Sequence, residues 1–254
     1  MAWPVIFLGL FFSVSYGKAL KSEPNYYYEL KIYHFKTDLQ EKSLDKFLEQ
    51  AYLPALHKAG IKIAGVFKSK VIDTADKLIY VLIPLQKIDQ FFSLDRILEK
   101  DIIYQSNGKD YLQAAYNSSF YNRIEIILLN AFDGMPEPMV PKLMGRKADR
   151  IYELRSYESP TENLGVNKIG MFNSAEISMF EKLDFNAVFY GKVIIGSHMP
   201  NLMYLTTFNN KEDRDKHWEA FGTEYKKISG LPQYQNNVNK YIIAFLYPTA
   251  YSDI

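Results

Sequence analysis

The 254-residue sequence has no cysteine, only 2 tryptophans and a nearly even balance of charge, with 30 Lys+Arg against 29 Asp+Glu. The absence of cysteine excludes structural disulfides, thiol nucleophiles and cysteine-ligated zinc or iron–sulfur sites. The balanced charge, without a block of basic residues, argues against nucleic acid as the main partner, because phosphate binding needs a concentrated positive surface. In contrast, the chain is rich in tyrosine and phenylalanine, with 20 and 17 residues.

The first seventeen residues carry no charged side chain and contain the apolar run Val5 to Phe12. A membrane-spanning helix needs about 20 apolar residues, so this run is too short to span a bilayer. Small residues at Ser15 and Gly17 precede Lys18, as at a signal cleavage site. We therefore predict a signal peptide over residues 1–17 and an exported protein, periplasmic or secreted, without a membrane span in the mature chain.

The sequence contains an internal repeat. Tyr28-Glu29-Leu30-Lys31 with Tyr33 returns 124 positions later as Tyr152-Glu153-Leu154-Arg155 with Tyr157, and Leu78, Tyr80 and Val81 match Leu202, Tyr204 and Leu205 at the same offset. Two matches at one spacing indicate a tandem duplication. The proline-punctuated stretch 135–147 reads as a linker between a first repeat over residues 18–134 and a second over 148–254.

Each repeat shows the pattern strand, helix, strand, strand, helix, strand. In the first, Tyr27 to Phe35 favours a strand, Ser43 to Lys58 an amphipathic helix ending at Gly60, and Ile61 to Val71 and Leu78 to Ile83 further strands. The closing strands Ile124 to Leu129 and Tyr241 to Leu246 are almost continuously apolar, which is typical of burial on both faces. We predict an α+β protein: two tandem ferredoxin-like βαββαβ repeats, packed sheet to sheet as a pseudo-dimeric α/β barrel.

The repeated opening motif, the segment Lys211 to Phe221 (KEDRDKHWEAF) and the ending Pro248 to Ile254 together resemble the NIPSNAP family. The resemblance covers nearly all of the predicted mature chain and is strongest to exported bacterial members with two repeats. In the first repeat it is carried by Leu53 to Leu56, Gly60 to Lys62 and Gly65 to Phe67. It implies a dimeric α/β-barrel fold. It does not supply a settled activity, a cofactor or a set of catalytic residues.

Alternation along the opening strands separates Tyr28, Leu30, Ile32 and His34 from Glu29, Lys31, Tyr33 and Phe35. We expect the more apolar first set to meet the helices and the second to point into the barrel. Candidate ligand-binding residues are the polar members of these strands together with the strand-end pair His34 and Glu158: Glu29, Lys31, Tyr33, His34, Glu153, Arg155, Tyr157 and Glu158. An alternative is structural, with Glu29 meeting Arg155 and Glu153 meeting Lys31 as a reciprocal network.

The sequence has no nucleophile elbow, no Walker loop and no dinucleotide fingerprint, and its four histidines lack metal-binding spacing. We therefore expect no metal and no cofactor. Three functions stay open: binding of a small apolar or aromatic molecule in the barrel; a cofactor-independent oxygenase or isomerase using Tyr33, Tyr157 and His34; or a structural or interaction module with a filled barrel. Self-association is a further expectation, because edge strands seek partners.

Overall fold

The computed structural model describes residues 25–70 and 73–254. The predicted signal peptide, residues 1–17, lies outside the described residues. Within the described part of the chain, no helix is long and apolar enough to cross a membrane.

Among the described residues, the first half of the chain supplies four strands and five helices. The strands are β1 (Tyr27–Phe35), β2 (Gly65–Ser69), β3 (Lys77–Leu85) and β4 (Arg123–Ala131). The helices are α1 (Asp38–Phe47), α2 (Leu53–Lys58), α3 (Ile88–Glu99), α4 (Ile102–Asn107) and α5 (Lys109–Leu112), with a π-helical turn, Leu48–Tyr52, joining α1 to α2.

The second half repeats this order, with one α-helix between its last two strands where the first half has three. Its strands are β5 (Ile151–Glu158), β6 (Phe189–Ile195), β7 (Asn201–Phe208) and β8 (Lys240–Pro248). Its helices are α6 (Glu162–Met171), α7 (Ile177–Lys182) and α8 (Lys211–Ser229), and a π-helical turn, Phe172–Glu176, again joins the first two. A short 3-10 helix, Pro232–Tyr234, follows α8.

The first helix begins earlier than the sequence pattern predicted. Thr37 caps α1: its hydroxyl accepts from the Gln40 backbone N–H, and the Gln40 side chain accepts from the Thr37 backbone N–H. This reciprocal cap satisfies two amide groups that a helix leaves free at its start. The predicted end is confirmed, since Gly60 adopts a φ of 92°, a left-handed conformation that suits glycine after a helix.

The eight strands close into one antiparallel barrel in the order β1-β3-β2-β8-β5-β7-β6-β4, so the predicted α+β barrel of ferredoxin-like repeats is confirmed. The halves meet at two seams. In one, Phe67–Ser69 of β2 pair with Leu246–Pro248 of β8. In the other, Leu128–Ala131 of β4 pair with Gly191–Ile195 of β6, across a register irregularity. Each half completes the sheet of the other.

Strands β1 and β5 run in the same direction along the barrel. All neighbouring strands are antiparallel, and four steps separate these two in the strand order, so their directions coincide. The pseudo-two-fold axis that relates the halves therefore lies along the barrel axis. Equivalent residues of the two repeats lie at the same end of the barrel.

The strand ladders correct one of the two matches used to detect the repeat. Leu30 pairs with Leu82 and its equivalent Leu154 pairs with Leu205, so β3 and β7 correspond at an offset of 123 rather than 124. The match of Tyr80 to Tyr204 is therefore coincidental: Tyr80 lies in the barrel core, while Tyr204 lies under the second set of helices. The repeat itself rests on the opening motif and the shared topology.

Three apolar cores hold the molecule together. One fills the barrel lumen and draws residues from all eight strands. The others lie between the outer faces of the strands and the helices, one in each half. At the end where β1 and β5 begin, the lumen is closed by two aromatic contacts between the halves. The rings of Tyr28 and Phe189 lie 4.9 Å apart, and those of Tyr152 and Phe67 lie 5.1 Å apart.

The closing strands β4 and β8 are less buried than predicted. Their second halves are covered, but Ile126 is 43% exposed and Tyr241, Ile242 and Ile243 are 60%, 40% and 41% exposed. These residues lie towards the end where β1 and β5 finish. The ladder of β4 with β6 begins only at Leu128, so the seam does not cover the first half of β4. The continuous apolar pattern thus marks a strand that is only partly enclosed.

Candidate functional site

The lumen opens to a cavity at the end of the barrel where β1 and β5 finish, which we call the barrel mouth. It has a volume of about 180 Å³ and is lined by both halves of the chain. Its deeper wall is apolar and comes from lumen-facing residues of five strands: Ile32, Ile127, Leu154, Met203 and Ala244. Short polar or titratable side chains form the rim. This is the usual composition of a small-molecule pocket.

The first-half side of the rim is built around His34. Its Nδ1 lies 2.9 Å from an Asp76 carboxylate oxygen, and its Nε2 lies 3.5 Å from Glu125 Oε1. Arg123 pairs with Glu125 at 2.9 Å. Tyr80 lines the cavity beside them. Burial, followed by the negative charges of Glu125 and Asp76, raises the pKa of Tyr80 to about 12, so its hydroxyl stays protonated at neutral pH.

The second-half side of the rim is different. Ser156 and Asn201 are both buried, and the Ser156 hydroxyl donates to the Asn201 side-chain oxygen over 3.0 Å. His198, in the loop between β6 and β7, lines the mouth and lies 3.4 Å from Glu158, which also pairs with Lys240 at 3.2 Å. His198 has a φ of 65°, a left-handed backbone conformation that is uncommon outside glycine.

The two repeats differ most at the mouth. At the closed end of the lumen, four pairs of positions related by the ladders hold the same residue type: Tyr28 and Tyr152, Leu30 and Leu154, Leu82 and Leu205, Leu129 and Leu246. Three other pairs there differ: Pro84 and Thr207, Gly65 and Phe189, Phe67 and Gly191. At the mouth six related pairs differ: Ile32 and Ser156, His34 and Glu158, Leu78 and Asn201, Tyr80 and Met203, Glu125 and Ile242, Ile127 and Ala244. Leu154 in the deeper wall is the exception, since its equivalent is Leu30. Identical pairs are thus found at the closed end and in the deeper wall of the mouth, and none is found among the rim positions.

The prediction of which strand face points into the barrel was wrong. Tyr28, Leu30 and Ile32 line the lumen, whereas Tyr33 and Phe35 pack beneath the helices of the first half. The physical reason is hydrogen bonding. Charged side chains in a closed lumen would lack partners, but on the outer face the helices supply them, and Lys31 donates to the Tyr52 hydroxyl over 2.9 Å.

The predicted reciprocal network between the halves is also wrong. Lys31 pairs with Glu29 of its own strand at 3.2 Å, and Arg155 pairs with Glu153 of its own strand at 2.6 Å. Both pairs lie on the outer face of the barrel wall, away from the lumen. Each opening strand thus places a carboxylate beside a cation of the same strand.

In the second half this pair is the centre of a buried network. Glu153 is fully buried and accepts from Arg155, from Arg214 over 2.7 Å and from the Trp218 indole N–H over 2.9 Å. Arg155 also lies 3.6 Å above the Trp218 ring and donates to the Tyr157 hydroxyl over 2.9 Å. The contacts saturate the carboxylate, so the network anchors α8 to the sheet.

A second buried pair, Lys168 and Glu176, lies beneath the same helices. The lysine also donates to the Tyr225 hydroxyl over 3.1 Å and lies 5.0 Å from the centre of the Phe172 ring. Burial raises the pKa of Glu176, and the charge of Lys168 opposes the shift. No pattern in the sequence indicates this pair, because Lys168 occupies a position that is Leu44 in the first repeat.

Of the eight predicted site residues, His34 lines the mouth and Glu158 contacts it through His198. Six lie on the helix-covered faces: Glu29, Lys31, Tyr33, Glu153, Arg155 and Tyr157. Sequence reasoning missed the rim residues Tyr80, Glu125, Ser156, His198 and Asn201. The sequence pattern could have indicated these residues only in part, as polar residues at the ends of otherwise apolar strand faces. Among residues 25–70 and 73–254, no cluster of three His, Asp or Glu could hold a metal ion.

Similar proteins support the fold. A candidate monooxygenase from Fusobacterium nucleatum subsp. nucleatum is 10% identical, with a TM-score of 0.58 over 89% of this chain and 93% of that chain. An anthrone oxidase-like protein is 9% identical, with a TM-score of 0.52 over 89% and 92%. A candidate monooxygenase from Lactobacillus acidophilus NCFM is 10% identical, with a TM-score of 0.51 over 88% and 94%. At these identities the likeness is one of fold.

In sequence, no curated protein matches the chain. The NIPSNAP family model matches residues 152–253, from the second residue of β5 to the penultimate residue of the chain. This stretch contains the repeated opening motif, the α8 segment and the C-terminal motif that carried the resemblance. Over residues 152–253, the chain is therefore similar to the NIPSNAP family.

Proposed function

We propose that the protein binds a small, mostly apolar molecule, with an aromatic ring as the best fit, in the barrel mouth. The observation that carries the proposal is that six related pairs of residues at this cavity differ in type, whereas four pairs at the closed end are identical. A volume of about 180 Å³ exceeds the roughly 150 Å³ of an engineered apolar cavity that holds one benzene ring. The apolar wall would hold the ring and the polar rim would orient its substituent.

Binding is better supported than the two alternatives. A cofactor-independent oxygenase or isomerase would need Tyr33, Tyr157 and His34 around one substrate. Tyr33 lies in the first helix-covered core, Tyr157 in the second, and His34 at the mouth. The similar structures that are named as monooxygenases or as oxidase-like share the fold, but they are only 9–10% identical to this chain in sequence. A purely structural barrel would leave the cavity at its open end without a role.

The proposal is tested by nuclear magnetic resonance of the full chain with ¹³C-methyl methionine. Met203 lines the mouth, while Met171 is buried beneath the helices of the second half and serves as the internal control. Titration with toluene should shift the Met203 methyl signal and leave Met171 unchanged. If Met203 does not respond to toluene or to its hydroxyl, amine and carboxyl analogues in the folded protein, the proposed function is wrong.

A pair of alanine substitutions sharpens this test. Ala244→Leu adds bulk inside the mouth, whereas Ala220→Leu adds the same bulk at an exposed position on α8. Ala244→Leu should abolish the toluene response and Ala220→Leu should preserve it. Equal binding by both variants would place the ligand elsewhere.

We also propose that the protein is exported after removal of residues 1–17, with the repeats divided at the proline-punctuated stretch 135–147. The support is the uncharged apolar N-terminus and the abrupt change to a polar sequence at Lys18. Intact mass measurement of protein from a cell's exported fraction would test it. A mature chain beginning at Lys18 supports export, and an unprocessed chain retained in the cell would contradict it.

A further inference from the structure

The carboxylates around the barrel mouth outnumber the permanent cations that pair with them. The cationic groups described at the rim each face a carboxylate: Arg123 faces Glu125 at 2.9 Å, and Lys240 faces Glu158 at 3.2 Å. Asp76 is a third carboxylate, held by His34 at 2.9 Å. Each of the two permanent cations at the rim is thus paired with a carboxylate. The rim has three carboxylates, one more than its permanent cations.

The carboxylate of Glu125 is the one that a ligand would meet. Glu125 lines the mouth and lies beside the apolar Ile32, to which it is directly paired across β1 and β4. Its side chain is 37% exposed, whereas that of its partner Arg123 is 60% exposed. The carboxylate therefore projects towards the cavity while much of its counter-charge stays in solvent. Against an apolar wall, water screens such a charge less than it does on an open surface.

The other rim groups fit the same chemistry. The Ser156 hydroxyl is already donated to Asn201. Burial, and after it the negative charges of Glu125 and Asp76, raises the pKa of Tyr80 to about 12. Apart from this shift, the two carboxylates themselves disfavour a further negative charge beside them. An incoming carboxylate would have to displace an existing ion pair, while an O–H or N–H group could donate to Glu125 directly.

We infer, on the basis of the proposed function, that the polar end of the ligand is a hydrogen-bond donor, a hydroxyl or a protonated amine on a small apolar or aromatic body, and that carboxylates are selected against. Glu125 accepts the donated hydrogen, and the apolar wall of the mouth holds the body. This assigns Glu125 as the residue that determines specificity, a position that sequence reasoning did not single out.

The test compares four probes of one shape on the full chain, using the Met203 methyl signal: toluene, benzyl alcohol, benzylamine and benzoate. Benzyl alcohol and benzylamine should each bind at least tenfold more tightly than benzoate. In Glu125→Gln, the preference for benzylamine over benzoate should fall at least tenfold. Glu224→Gln removes a carboxylate from an exposed pair on α8 and should leave the preference unchanged.

The outcomes separate the two proposals. If toluene binds but benzoate binds as tightly as benzyl alcohol, the inference about the polar end is wrong and the binding proposal stands. If none of the four probes shifts Met203, the binding proposal itself fails. If the wild-type ranking is as expected but Glu125→Gln leaves it unchanged in a folded protein, then Glu125 is not the acceptor and the assignment is overturned.

Discussion

Replacing Glu153 with alanine should destabilise the protein by about 3–5 kcal/mol, the cost typical of breaking a buried charge pair. Glu153 is fully buried, and the side chain of Arg155 is only 12% exposed. Without the carboxylate, Arg155 keeps its contact with the Trp218 ring and its bond to Tyr157 but loses its counter-charge. Arg214 adds less to the loss, because it also pairs with Asp215 at 3.0 Å.

Urea denaturation followed by far-ultraviolet circular dichroism measures this loss as a shift in the midpoint at constant slope. The control is Glu224→Ala, since Glu224 forms an exposed pair with Lys227, with side-chain exposures of 45% and 67%. That variant should stay within about 0.5 kcal/mol of wild type. A loss below about 1 kcal/mol for Glu153→Ala would mean that water reaches Arg155 and that the network is not buried in solution.

Three further predictions follow from the backbone, the titration of Tyr80 and the shared barrel. Gly60→Ala should cost about 1–2 kcal/mol because of its left-handed backbone, whereas Gly170→Ala, in α6 with no atom within 4 Å of an added Cβ, should be neutral or stabilising by up to about 1 kcal/mol; equal effects in thermal melts would contradict this. The raised pKa of Tyr80, about 12 against about 10 when unfolded, stabilises the fold fully below pH 10 and progressively less as pH rises to 12. In Tyr80→Phe, the free energy of unfolding should therefore fall less steeply between pH 10 and pH 12, by the contribution of one titrating proton. An unchanged pH dependence, measured by urea denaturation across that window, would refute it. A fragment of residues 148–254 leaves the edges of β6 and β8 and the lumen face uncovered, so light scattering should show a dimer, and a folded monomer would contradict it.

Much of the fold was predictable because its signals are local. The bounds of β1 were predicted correctly from strand propensity. Gly60 was identified as a helix end for the same local reason. The barrel followed from the duplication, since a sheet covered by helices on one face needs a partner for the other.

The candidate site was much less predictable because its residues are brought together only by barrel closure. The opening strands carry large side chains on both faces, so alternation alone cannot say which face is the lumen. That choice depends on helix residues distant in sequence, such as Tyr52 for Lys31 and Trp218 for Glu153. The mouth draws on six strands and one loop, and nothing in a linear pattern marks Glu125 and Asn201 as neighbours of one cavity.

The position of the mouth on the pseudo-two-fold axis has a consequence for recognition. In a barrel assembled from two identical chains, a ligand on this axis would meet the same side chains in two orientations related by half a turn. Here His34 stands opposite Glu158, and Glu125 opposite Ile242. One orientation of an unsymmetrical guest would therefore be favoured over the other, a selection that a barrel of two identical chains could not make.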